Sequence, residues 1–138
     1  MKKGFTVVEV VVTLIVFAVL LGLTVPKFIT LVHKAREGST KHQLVRLRSA
    51  IAAYYGENQG VYPTDDLSSL VPKYIEAIPP ADVPGFKPTN KVTSGTYEQA
   101  FDKTGGWAYV SDSSDPRFGE VFVNTDKEDS YGKAWNTH

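Results

Sequence analysis

From Phe5 to Val25 the chain is apolar at almost every position, a run of about 21 residues that spans roughly 30 Å of hydrocarbon as a helix. Beyond Lys27 the pattern turns amphipathic. Phe28, Leu31/Val32 and Ala35 recur at helical spacing, and so do Leu44, Leu47, Ile51 and Tyr54. Lys34, Glu37, Lys41, Gln43, Arg46 and Arg48 fill the remaining faces, and Gly38-Ser39-Thr40 is a weak spot between the two stripes. Read as one element, Phe5 to about Asn58 is a helix of roughly 80 Å. Its first half is apolar all round. Its second half carries one stripe that must be buried against something. Pro26 lacks an N–H and its ring meets the carbonyl of Gly22, so this pair is where a kink or local melting of the helix is expected.

After Gly60 the pattern breaks up. Val61-Tyr62-Pro63 is an extended step, followed by a helical turn with Thr64 or Asp65 as N-cap. Tyr74 to Pro80 leads into a Pro-rich loop. Trp107-Ala108-Tyr109-Val110 reads as a strand entered from the Gly105-Gly106 turn. Phe118 to Asn124 alternates as a second strand, and the polar turn Ser111 to Pro116 makes the two an antiparallel hairpin. An isolated hairpin is marginal. A third strand is expected near Thr96 to Phe101, and the Leu44–Ile51–Tyr54 stripe is the surface for the sheet to cover. The fold class is α+β, a long N-terminal helix packed on a small antiparallel sheet. The divisions are residues 1–4 as leader, 5–30 as apolar helix, and 31–138 as amphipathic helix plus head.

Composition narrows the chemistry. The 138 residues carry 15 basic and 15 acidic side chains and no cysteine. Zero net charge gives no sign of a nucleic-acid-binding surface. Without cysteine there is no disulfide, thiolate metal site or thiol nucleophile. His33, His42 and His138 form no metal-binding spacing, and no nucleophile elbow or phosphate loop occurs. These features point away from an enzyme and require no cofactor. Asp126, Glu128 and Asp129, with Asp112 and Asp115, offer oxygen atoms to a calcium ion but lack a regular cation-loop spacing, so they read as solvated loop carboxylates.

The most informative residue is Glu9, a lone carboxylate inside the apolar run. A charge at the centre of a bilayer costs roughly 2.5–3.5 kcal/mol on insertion scales, so such a residue implies a function and a partner. The nearest positive partner is the amine that cleavage between Gly4 and Phe5 would expose. Met1-Lys2-Lys3-Gly4 is a short basic leader, and Leu23-Thr24-Val25-Pro26 offers no small-x-small site of the secretory kind. An ordinary signal anchor accounts for the length but leaves Glu9 unexplained.

Gly4-Phe5, Glu9, the apolar helix and Pro26 together make this chain resemble the type IV pilin-like superfamily of pilins, competence pilins and type II secretion pseudopilins. The likeness covers residues 1 to about 30. It extends to Tyr62-Pro63, Ile78-Pro79-Pro80 and the Gly106-Trp107 to Asn124 segment. The resemblance implies cleavage after Gly4 by a membrane prepilin peptidase, with N-methylation of Phe5. It implies inner-membrane storage as a single-pass protein and extrusion by a membrane assembly platform into a helical homopolymer. Glu9 would pair there with a neighbour's Phe5 amine and set the register. The absence of cysteine departs from the disulfide-closed loop of many pilins and favours the pseudopilin-like branches. Three functions follow as expectations: an extended pilus used for adhesion, motility or DNA uptake; a secretion piston; or a membrane-anchored binding domain that never polymerises.

Overall fold

The computed structural model describes residues 3–138. The chain divides into two units, Met1–Lys34 and Ala35–His138. One helix, α1 (Val7–Glu57), supplies most of the first and the spine of the second. It is followed by strand β1 (Val92–Gly95), a short helix α2 (Tyr97–Ala100), and strands β2 (Trp107–Val110) and β3 (Val121–Val123). Single 3₁₀ turns sit at Ser68–Leu70 and Trp135–Thr137. The architecture is α+β, as the sequence pattern predicts.

In the first unit α1 exposes its apolar side chains from Val7 to Leu31 on all sides. Its hydroxyls are satisfied internally: Thr13, Thr24 and Thr30 donate to the carbonyls of Glu9, Leu20 and Pro26, at 2.8, 2.7 and 3.2 Å. That lets polar residues sit in an apolar setting without an unmet donor. The helix continues through Gly22 and Pro26. Proline removes one N–H, a loss confined to the Gly22 carbonyl. The Gly38-Ser39-Thr40 weak spot is likewise fully helical. Thr40 is buried and clasps the loop at Asp82, donating to its carbonyl (2.8 Å) and accepting its N–H (3.0 Å).

The second unit is built on the predicted stripe. Leu44, Leu47 and Ile51 are buried, with Tyr54 at the edge, against Trp107, Tyr109, Val121 and Val123 of the sheet. Strand alternation sends Ala108, Val110 and Phe122 to the opposite face, where Ala100, Tyr97 and Phe101 cover them. Two buried polar handles explain the proline motifs. The Trp107 indole N–H donates to the Pro79 carbonyl at 2.7 Å, and the Tyr109 hydroxyl to the Pro63 carbonyl at 2.6 Å. The N-cap of the 3₁₀ turn is Leu67 rather than Thr64 or Asp65, and the Asp65 carboxylate supports the turn by accepting the N–H groups of Leu67 and Ser69 at 3.0 and 2.9 Å.

The sheet itself differs from expectation. β2 and β3 pair antiparallel, but the third strand is β1, parallel to β2 with Val92 opposite Trp107. The sheet is mixed rather than antiparallel. Thr96 to Phe101, read above as a strand, is the crossover. A capping box formed by Thr96 and Gln99 starts α2 there, and parallel neighbours need such a connection. Gly106 has φ +77°, and a Cβ there would lie 2.6 Å from the Lys91 carbonyl. Glycine is therefore what lets β2 run close beside β1. The second strand is also shorter than its alternating pattern, beginning at Val121 rather than Phe118.

The C-terminal loop is tied to α1 by two buried carboxylates. Asp129 accepts from Lys41 Nζ at 2.5 Å, from the N–H groups of Tyr131 and Lys133 at 2.9 and 3.0 Å, and contacts His138 Nε2 at 3.0 Å. Glu37, also buried, accepts the Ser130 N–H at 3.1 Å. Foremost the Lys41 ammonium, and with it the two N–H donors, holds the Asp129 carboxyl well below the usual carboxylate range. A depressed carboxylate stabilises the fold at every pH above its unfolded value of about 3.9, and the gain is lost as pH falls further toward the folded value. Asp129→Asn should therefore lower Tm at pH 7. The melting curves of the two proteins should converge in thermal scans carried below about pH 4. A gap that persists undiminished into acid would show that Asp129 acts by shape rather than by charge.

Candidate assembly site at the N-terminus

The end of α1 is built by its own side chains. Thr6 is the N-cap: its carbonyl accepts the first helical bond, from Val10 N–H at 3.2 Å. Its hydroxyl accepts the Glu9 N–H at 3.3 Å, and the Glu9 carboxylate lies 3.5 Å from the Thr6 backbone nitrogen. This reciprocal pair is a capping box. Glu9 also sits in the first helical turn, where the helix dipole favours negative charge. The carboxylate thus has a local role that the reading of Glu9 as an unpartnered charge missed, although Thr6-x-x-Glu9 is the sequence signature of such a cap. The box does not saturate the carboxylate. Glu9 remains exposed, and its longest bond is at the limit of hydrogen-bond distance.

Phe5 is 82% exposed and lines, with Lys3, Gly4, Thr6 and Glu9, an open concavity of about 550 Å³. Gly4 is not demanded by the fold. A Cβ there would meet nothing within 4 Å, and the same holds for Gly22. Any requirement for glycine at position 4 must come from something that binds this segment. The structure brings Phe5 and Glu9 to one helix end and leaves Gly22 and Pro26 further along the same apolar helix.

Except for Glu128, the acidic candidates in the loops are engaged by the protein. Asp129 is filled by the donors described above. Asp126 pairs with Lys103 at 3.0 Å. Asp112 accepts from Ser114, and Asp115 from the N–H groups of Tyr97 and Arg117. Glu128 is exposed. Among the described residues no group of three or more His, Cys, Asp or Glu converges to hold a metal ion.

No family model, curated protein or solved structure matches this chain. What the molecule does must therefore be argued from its residues. The apolar half of α1 is long and apolar enough to cross a membrane, and it buries none of that surface within the chain. A contiguous exposed apolar surface of this size marks a membrane or protein interaction site.

Proposed function

We propose that this chain is a structural subunit of a type IV pilus-like filament. It is held in the inner membrane by α1, cut between Gly4 and Phe5 by a prepilin peptidase, and polymerised through its N-terminal helix into a periplasmic or extracellular filament. The observation that carries this reading is Glu9, a single exposed carboxylate beside Gly4-Phe5 at the head of the apolar, exposed first half of α1. Lipid and a bundle of like helices are similarly apolar, so moving from one to the other gives little selectivity. A carboxylate that gains a neighbour's Phe5 amine supplies it, because an unpaired charge in an apolar setting is costly. Gly22 and Pro26 mark where α1 can lose helical bonds most cheaply if packing in the filament requires it. The head would coat the filament and carry any binding specificity.

The absence of cysteine favours a second reading within the same class, the major pseudopilin of a type II secretion piston. Electron microscopy of surface filaments separates the two. Processing separates both from a membrane-anchored domain that never polymerises. Mass spectrometry of membrane or filament material should show a chain beginning at Phe5, heavier by about 14 Da for one methyl group. Gly4→Ala should be cleaved partly or fully, whereas Gly4→Leu should accumulate uncut precursor without any loss of head stability, since position 4 touches nothing in the fold. Only Met1-initiated chain from a host with an active peptidase would overturn the proposal.

A further inference from the structure

Two adjoining cavities in the second unit have walls of unlike chemistry. The larger, about 420 Å³, is bounded by Arg48 of α1, by Arg117, Glu120 and Val121 at the entry to β3, and by Asn136 and Thr137 of the last 3₁₀ turn. The smaller, about 190 Å³, lies against Ile51, Ala52, Tyr55 and Tyr62. Arg48 and Gly119 line both. The fold fixes these walls. Arg48 Nη2 donates to the carbonyls of Val121, at 3.1 Å, and His138, which leaves Nε and Nη1 without a partner among the described residues. Arg117 Nε donates to Glu120 at 2.8 Å, an exposed pair of the kind that holds its members weakly. Tyr62 packs on Tyr55 with ring centroids 4.4 Å apart. Gly119 has φ +89°, and a Cβ there would lie 2.6 Å from the Tyr62 ring, so glycine is what lets this backbone lie against the aromatic wall.

Around the larger cavity two guanidiniums and the Asn136 amide offer donors, against one carboxylate, Glu120. An arginine fork matches a carboxylate in two parallel bonds. The smaller cavity is apolar and aromatic, the lining that takes a ring or a branched side chain. We propose that the two cavities form one binding site for a carboxylate that bears an adjacent apolar group. The carboxylate sits between Arg48 and Arg117, and the apolar group lies against Tyr55 and Tyr62. A free aromatic acid and the C-terminal residue of a peptide share that chemistry. Binding at this site requires no filament.

The test titrates isotope-labelled full-length protein in neutral detergent micelles with N-acetylphenylalanine, read from the backbone amide shifts of Gly119 and Thr137. Saturable binding at roughly millimolar concentration is expected, the scale for a ligand of this size. N-acetylphenylalaninamide, which lacks the carboxylate, and acetate, which lacks the ring, should each bind at least about tenfold more weakly. Arg117→Gln should weaken binding roughly tenfold, the scale of one bond to a charged group. Glu120→Gln should tighten it severalfold, because a competing carboxylate is gone; a purely structural role for Glu120 would give no gain. A tripeptide ending in Phe that binds more tightly than N-acetylphenylalanine assigns the site to peptide termini, and one that binds more weakly assigns it to small acids. Equal binding of the acid and the amide overturns the proposal. So does Glu120→Gln with a native spectrum and no tightening. Shifts confined to the apolar half of α1 would mean uptake by the micelle only and overturn it as well.

Discussion

Replacing Glu9 with Val should abolish homopolymeric filaments while leaving expression, membrane insertion and cleavage nearly intact. The substitution makes the segment more apolar, so insertion is not impaired. Under the proposed pairing, what is lost is the partner of a buried ammonium. Removing one member of a buried ion pair costs about 3–5 kcal/mol, because the other is left unpaired. That is roughly two to three and a half orders of magnitude in the affinity of each subunit for the next. The capping box with Thr6 complicates the reading, since Glu9→Val also removes a helix cap, worth about 1 kcal/mol. Two further variants separate the effects. Glu9→Gln keeps a residue that completes a capping box but removes the charge, and should still fail to assemble. Thr6→Val loses the cap but keeps the carboxylate, and should assemble with at most a modest loss. Glu9→Asp should be intermediate, its charge intact and its reach one methylene shorter. Wild-type subunits mixed in should partly rescue Glu9→Val. The measurement is filament yield by electron microscopy, with subunit level and Phe5 terminus checked in the same cells. An ordinary membrane anchor makes the contrary prediction, that removing Glu9 only improves the protein. Normal filaments from Glu9→Gln would eliminate the pairing mechanism.

The second large effect is on the head. Leu47→Asp should unfold it. Leu47 is 0% exposed and lies at the centre of the interface between α1 and the sheet. An unpaired carboxylate buried there belongs to the costliest class of single substitutions, more than about 4–5 kcal/mol. A domain of this size holds only about 5–15 kcal/mol in total. Leu47→Ala should cost about 2–5 kcal/mol, and so lower Tm by roughly 10 °C or more. Val45→Asp, two residues away but 58% exposed, should change stability by less than about 0.5 kcal/mol. Tryptophan emission reports the outcome, because both tryptophans, Trp107 and Trp135, are fully buried. Their emission should shift red in Leu47→Asp and stay native in Val45→Asp. A native spectrum and melting curve for Leu47→Asp would place the stripe against solvent or a neighbour instead.

Much of this molecule is decided by local pattern. A run of about 21 mostly apolar residues dictates a helix long and apolar enough to cross a membrane, and the Leu44–Leu47–Ile51–Tyr54 spacing dictates one buried face. Both follow from the 3.6-residue period alone. Glu9 stands out as the one charge in the apolar run, and Thr6-x-x-Glu9 carries its cap in the sequence itself. Other features depended on partners distant along the chain. The strand at Val92–Gly95 has a half-buried, irregular face with no alternation, and it pairs parallel to β2 only because the Thr96–Gln99 capping box turns the chain into a crossover helix. Thr40, in a stretch that reads as a helix weakness, is fixed by Asp82, 42 residues on. Asp129, one of three similar loop acids in sequence, becomes the buried anchor because Lys41 lies 88 residues before it. Helical and strand periodicity is written in neighbouring residues. Which loop acid is buried, and which strand pairs in which direction, is decided only when distant segments are packed together, because hydrogen bonds and charges find their partners in space.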